Sequence, residues 1–175
     1  YLQNILGLSP LETGVRFLPL SLVSFFAAPL AGRLSHTVPV RALISIGLAL
    51  NAIAMWTMSR VSTGSHWTVL LPGFIIGGIG IGFVNAPLAT TAVSTVRVER
   101  AGMASGINNT FRQIGIATGI AALGAIFASK TGGEAASRAQ FVDGLHDILL
   151  VGAATAAVGA VLALVLVRRQ DFVAS

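Results

Sequence analysis

The polar residues best able to do chemistry in this sequence lie together in one apolar stretch. Arg112 stands ten residues after Gly102, which is about 15 Å at the rise of an α-helix. Two polar residues precede it on the same helical face, at i−7 and i−4, and two more lie beside that face: Ser105, Asn108, Asn109 and Gln113. Such a cluster within an apolar helix is typical of the lining of a path for a solute.

Arg112 is the most costly member of this cluster. A guanidinium keeps its proton in proteins, and placing it at mid-bilayer costs roughly 2.5–3.5 kcal/mol on insertion scales. We therefore expect its side chain to face the interior of a helix bundle or water. The alternative is an arginine that extends to the membrane interface, which holds if the helix starts later than predicted. Asn85, deep in the preceding apolar stretch, is a weaker candidate for the same path.

Other kinds of site are not supported by the residue types and their spacing. The sequence has no cysteine, and its three histidines lack the spacing of metal ligands, so we predict no metal site. It has no Ser/His/Asp arrangement, HExxH motif or Walker loop. The run Gly78–Gly82 resembles part of a dinucleotide-binding motif, but it lies in an apolar stretch without a βαβ context. We therefore predict neither an enzyme nor a bound cofactor.

The composition predicts a membrane protein. Of 175 residues, 54% are hydrophobic and 10% are charged, whereas soluble domains carry about 25% charged residues. The net charge of +5 comes from basic residues that stand singly between apolar runs, so nucleic acid is not an expected partner. We expect the lipid bilayer to surround most of the chain.

Five apolar segments are long enough to cross about 30 Å of hydrocarbon. They are continuously apolar rather than alternating, which favours helices over barrel strands, and they run about 17–34, 42–59, 67–96, 102–128 and 147–167. Gly7–Gly14 is expected to be a turn before the first span, and Lys130–Gly144 to be the longest loop. The predicted fold class is an all-α membrane protein, a bundle of five transmembrane helices that passes repeatedly through the cell (inner) membrane.

Basic residues near the span ends predict the orientation. Six arginines gather on one side and four basic residues on the other, a modest bias that places the first group in the cytoplasm: Arg33, Arg41, Arg97, Arg100, Arg168 and Arg169 against Arg16, Arg60, Lys130 and Arg138. The chain then begins outside and ends inside. Tyr1–Asn4 reads like the end of a preceding helix, so we expect the chain to be part of a longer protein.

Glycines recur one helical turn apart in the third and fourth spans. Such pairs let two helices approach closely in lipid, which predicts helix packing at Gly78, Gly82, Gly102, Gly106, Gly115 and Gly119. The alternative is a sliding interface in a transporter, and glycine spacing alone does not separate the two. Pro87 lies within the third span, where it frees the carbonyl of Phe83 and predicts a kink, while Pro19 is expected near a helix start.

Several of these stretches together carry a resemblance to a known family. The chain resembles the C-terminal third of the major facilitator superfamily, in its branch of fourteen-span drug:proton antiporters. The resemblance covers nearly the whole chain in the right order and lies in Tyr1–Gln3, Gly7–Gly14, Phe17–Leu20, Gly77–Gly82, Gly102–Gly106, Asn109, Arg112, Gln113 and Gly115.

The resemblance implies the activity, the partners and the energy source. It implies that the five spans are the last five of fourteen, that the remaining N-terminal helices complete the transporter, and that amphipathic small molecules are exported by inward proton flow. The third and fourth spans would line the central cavity or the interface between halves, with the second and fifth as outer supports. One departure is that Gly32–Ser35 is followed by His36 and Thr37 where the family usually has an Asp-Arg pair.

The residues leave two further functions open beside multidrug export by proton antiport. One is an uptake carrier of the same superfamily for a small polar solute such as a sugar, an acid or a siderophore, because one fold serves many substrates. The other is a membrane scaffold that transports nothing, in which the polar groups around Arg112 would be structural.

Overall fold

The computed structural model describes residues 1–94, 98–131 and 137–167, with side chains described outside 89–98. The described chain contains five α-helices and no strand: α1 Pro10–Leu34, α2 Val40–Met58, α3 Leu71–Ser94, α4 Ala101–Thr131 and α5 Arg138–Leu166. Each of the five is long and apolar enough to cross a membrane. The predicted bundle of five membrane-spanning helices is therefore confirmed. The predicted end of the third span at 96, and the arginines at 97, 168 and 169, lie outside the described residues.

Helix α1 begins seven residues before the predicted span, so the turn predicted at Gly7–Gly14 is confined to its first three residues, where Gly7 has a φ of 68°. Ser9 caps the helix, because its hydroxyl accepts from the Glu12 backbone N–H at 3.3 Å while the Glu12 carboxylate accepts from the Ser9 N–H at 2.9 Å. Pro19 consequently lies in the helix interior rather than near its start. The apolar window that defined the span excluded this polar first turn.

Helix α5 also begins before its predicted position, at Arg138 instead of residue 147. A second capping box starts it, in which Ser137 and Gln140 satisfy each other's backbone N–H groups. The loop expected at Lys130–Gly144 is therefore shorter than predicted. Asp147 lies within the helix as a result, where its carboxylate is 3.1 Å from the ammonium of Lys130 at the end of α4.

Helix α3 packs closely against two helices because its glycines face opposite directions. A Cβ at Gly78 would lie 2.7 Å from the carbonyl oxygen of Leu20, and one at Gly82 would lie 2.7 Å from the Cβ of Ala27, so this side meets α1. On the other side, a Cβ at Gly80 would lie 2.7 Å from the carbonyl oxygen of Gly47 in α2. Gly78 and Gly82 thus lie where α3 meets α1, in line with their predicted packing role, and α3 continues as a helix through Pro87.

Four glycines of α4, for which a packing role was predicted, contact no other helix within the described residues. A Cβ built at any of them would have no atom within 4 Å: Gly102, Gly106, Gly115 and Gly119. The physical reason is that α4 meets α5 mainly near its C-terminal end, where large residues make the contact. The rings of Phe127 in α4 and Phe141 in α5 meet edge to face, with their centroids 5.1 Å apart. The Phe127 ring also packs against Gly144 of α5.

The order of packing leaves one side of the bundle open. Helix α3 lies between α1 and α2, and α5 packs against α2 and α4. Contact between α3 and α4 is slight by comparison, although the two helices follow each other in sequence. The N-terminal residues pack near the end of α2 and the start of α3, where Leu2, Val61, Leu70 and Phe74 form a buried cluster. The open side between α1, α3 and α4 is where the predicted polar residues lie.

Candidate functional site

The predicted polar face of helix α4 is largely open. Asn108 and Gly119 on this face are half-buried, whereas Ser105 and Arg112 are exposed, as is most of the helix. The helix begins at Ala101, one residue from its predicted start, so Arg112 lies about 16 Å inside it at helical rise. The late helix start required by the interfacial alternative is therefore not found.

The side chain of Arg112 is oriented by its own helix. Its Nη2 donates to the Oδ1 of Asn109, one turn earlier, at 2.9 Å. The described residues contain one ion pair, between Lys130 and Asp147. Among these residues, no carboxylate therefore lies within ion-pair distance of Arg112. One guanidinium hydrogen bond is accounted for in this way, and the remaining N–H groups are left to water or to a partner of another kind.

A cleft of about 560 Å³ separates the first half of α4 from α3. We call it the α4 cleft, and it is lined by Asn85, Leu88, Ser105, Gly106, Asn108, Asn109 and Arg112. Five of the six residues predicted to line a path thus meet at one cavity, and the sixth, Gln113, is absent from its lining. Asn85 comes from α3, so the cleft is built by the two helices expected to form the path.

A second, wider cavity of about 730 Å³ lies between α1 and α3. We call it the α1 groove, and it is lined by Leu20, Ser21, Ser24, Phe25, Ala28, Pro29, Gly82, Asn85 and Ala86. Asn85 lines both cavities, which makes them neighbours on the open side of the bundle. Helices α2 and α5 contribute to neither lining, as expected of supporting helices.

Sequence reasoning missed Ser21 and Ser24. The signal was present, because they are two serines at i and i+3 within an otherwise apolar span and therefore share a helical face. Their relation to Asn85 could not be read from the sequence, since it depends on how α1 crosses α3. The α1 groove combines apolar walls with a few hydrogen-bonding groups, which is the usual make-up of small-molecule sites, whereas the α4 cleft is lined mainly by polar residues.

Comparison with known proteins agrees with this architecture. The family model of the Major Facilitator Superfamily matches residues 1–174. The chain is 33% identical over 132 residues to the tetracenomycin C resistance and export protein of Streptomyces glaucescens, covering 75% of this chain and 24% of that protein. It is 37% identical over 142 residues to the cephamycin export protein of Amycolatopsis lactamdurans, covering 79% and 29%.

A third relative extends the same pattern. The puromycin resistance protein of Streptomyces alboniger is 36% identical over 152 residues, covering 82% of this chain and 30% of that protein. The chain therefore spans about a quarter to a third of the length of these relatives. With a family match along nearly its whole length and five membrane-spanning helices in the expected order, the chain belongs to the major facilitator superfamily.

Proposed function

We propose that the intact protein is a secondary active exporter of amphipathic small molecules, of the fourteen-span drug:proton antiporter type, in the cell (inner) membrane. The observation that carries the proposal is the α4 cleft, where Arg112 meets hydrogen-bonding groups from two helices. The relatives named for resistance and export favour export over uptake. The remaining N-terminal helices of the same transporter are its proposed partners, and the inward flow of protons is its energy source.

Arg112 is proposed to hold the polar or charged part of the solute. Its insertion into the hydrocarbon costs roughly 2.5–3.5 kcal/mol, a cost that an interaction with substrate or with the other half of the protein would offset. The described residues give it one neutral hydrogen bond, to Asn109, and no carboxylate. A scaffold that transports nothing would have no use for a cation over an open cleft of about 560 Å³.

The experiment replaces Arg112 in the intact protein by leucine, alanine and lysine. We expect leucine and alanine to abolish efflux while membrane levels stay normal, because neither supplies a charge or a hydrogen bond. Lysine keeps the charge but loses the planar fork, so it should restore only part of the rate. Efflux is measured in proteoliposomes with an imposed pH gradient, with and without a protonophore.

The matched control is Arg138→Leu, which removes an exposed arginine at the first residue of α5. This variant should transport normally. Efflux by Arg112→Leu at the rate of the control would contradict the role of Arg112, and efflux that persists after the proton gradient is collapsed would contradict proton coupling.

A further inference from the structure

The α4 cleft and the α1 groove together make a track across three helices that carries polar groups along its length. Asn85 stands at the junction, since it lines both cavities. On one side of it lie Ser105, Asn108 and Arg112 from α4, and on the other lie Ser21 and Ser24 from α1. A solute held at Arg112 and longer than the cleft would therefore reach α1 past Asn85.

The hydroxyl groups along this track retain their hydrogen-bonding capacity. Within the described residues, Ser21, Ser24 and Ser105 make no side-chain hydrogen bond, whereas Ser129 in α4 donates to the carbonyl oxygen of Ile126 at 2.7 Å. Thr110, beside the cleft, likewise donates to the carbonyl oxygen of Gly106. A serine or threonine in an apolar helix commonly donates its hydroxyl hydrogen to a backbone carbonyl oxygen of the preceding turn, as Ser129 and Thr110 do. The three serines that border the cavities instead have donors and acceptors available to a ligand.

The rest of the lining defines the ligand class. Leu20, Phe25 and Pro29 form an apolar wall in the α1 groove, and the Phe25 ring is 71% exposed. Arg112 supplies a cation at the far end, and the two linings contain no carboxylate. A molecule with an aromatic or aliphatic body and an anionic or carbonyl-rich end complements this arrangement, whereas an aromatic cation does not.

We propose that Ser21 and Ser24, together with Asn85, form a second subsite of the transport site. The subsite hydrogen-bonds the body of an elongated anionic or acceptor-rich amphipath whose charged end lies at Arg112. This inference rests on the proposed export function and specifies its substrate class. It makes the two serines of α1 specificity-determining residues, since they act on solutes long enough to extend beyond the α4 cleft.

The first experiment measures accessibility in the intact protein. The described chain has no cysteine, so Ser21→Cys and Ser24→Cys are labelled with a membrane-permeant maleimide after replacement of any cysteine elsewhere in the protein. We expect labelling of both positions and a decrease of at least about fivefold when anilinonaphthalene sulfonate, an aromatic anion, is present at saturation. Thr37→Cys, exposed beyond the end of α1, is the control and should label equally with and without the probe.

The second experiment measures export by the Ser21→Ala/Ser24→Ala double variant. Loss of two hydrogen bonds should raise the half-saturating concentration of the sulfonate at least about fivefold, since each is worth roughly 0.5–1.5 kcal/mol. Ser129→Ala removes a hydroxyl that is already bonded within its own helix and should leave this concentration unchanged. Ethidium, an aromatic cation, should be a poor substrate for all three proteins.

Three outcomes would overturn the inference. If the two cysteines are not labelled in either condition, another helix of the protein covers the α1 groove. If they are labelled but not protected, the groove faces lipid or water alone. Preferential export of ethidium would contradict the substrate class. In each case, loss of efflux in Arg112→Leu would leave the proposed export function standing, whereas absence of any proton-driven efflux by the unaltered protein would contradict that function itself.

Discussion

In α3, every glycine meets a neighbouring helix, whereas in α4 none does, although the two helices carry the same spacing of small residues. A Cβ at Gly82 would lie 2.9 Å from the backbone nitrogen of Ala28 in α1, and one at Gly80 would lie 2.7 Å from the backbone of α2. At Gly115 and Gly119 in α4 the same construction meets nothing within 4 Å. Spacing therefore provides the capacity for close packing, and an opposing helix decides whether that capacity is used.

The difference has a functional side. Where α1 and α2 occupy the space beside the glycines of α3, the three helices form one packed unit. Where those of α4 are open, the helix stands away from α3 and leaves the α4 cleft between them. The polar residues of the candidate site lie at the boundary between these two regions, with Asn85 on the packed unit and Arg112 on the open helix.

The largest expected effect comes from filling a glycine of the packed unit. Gly82→Val would place atoms against the Cβ of Ala27 and the backbone of Ala28, which cannot yield without moving α1. We expect a loss at the upper end of the roughly 1–3 kcal/mol that overpacking costs, measured as the free energy of unfolding of the 175-residue chain in a bilayer. Gly124→Val in α4 is the matched control, because its Cβ has no atom within 4 Å. Equal losses in both variants would remove the distinction between the two helices.

A smaller effect is expected at Gly73, near the start of α3. A Cβ there would overlap the side chain of Met58, whose flexible end can move aside, and would lie 3.2 Å from the carbonyl oxygen of Ala54. We expect Gly73→Ala to cost about 1 kcal/mol in the free energy of unfolding. The double variant with Met58→Ala should cost less than the sum of the single ones, because the overlap is removed. Strict additivity would show that Met58 is not the obstacle.

The contact that fixes the C-terminal end of α4 is worth less. Lys130 and Asp147 are 3.1 Å apart, but their side chains are 56% and 39% exposed. Exposed ion pairs contribute between about 0 and 1 kcal/mol, so we expect Asp147→Asn to lower the free energy of unfolding by no more than this. The loss should decrease in high salt. Asp143→Asn, at an exposed position one turn earlier, is the control, and a loss that does not respond to salt would argue against an ion pair.

The smallest effect is expected in the open helix. Gly115→Ala adds a methyl group into free space, and alanine favours a helix over glycine by up to about 1 kcal/mol. The 175-residue chain should therefore be unchanged or slightly stabilised in thermal unfolding. The same substitution in the intact protein extends the comparison. A clear destabilisation there would show that another helix of the intact protein packs on this face of α4.

Much of the candidate site was predictable because it lies on one helix. Residues at i, i+3 and i+7 share a face whatever surrounds them, so Ser105, Asn108 and Arg112 could be grouped from their spacing. The prediction for Gln113 is the exception, because its place beside this face does not bring it into the lining of the α4 cleft. A position at the edge of a face depends on where the next helix lies, which spacing does not contain.

The sequence by itself determined that this chain forms a bundle of five membrane-spanning helices. In hydrocarbon every backbone N–H and C=O must be satisfied within the segment, so a long apolar run has one structural outcome. The starts of α1 and α5 were also encoded, in the pairs Ser9–Glu12 and Ser137–Gln140, but these lie outside the apolar windows from which the spans were predicted.

The tertiary structure decided which helices meet and what lies between them. It placed Ser21 and Ser24 beside Asn85, packed the glycines of α3 against α1 and α2, and left those of α4 open. The physical reason is that lipid solvates every apolar helix face almost equally well. The choice of neighbour therefore depends on the fit between surfaces far apart in sequence, and the periodicity of a single helix carries no information about that fit.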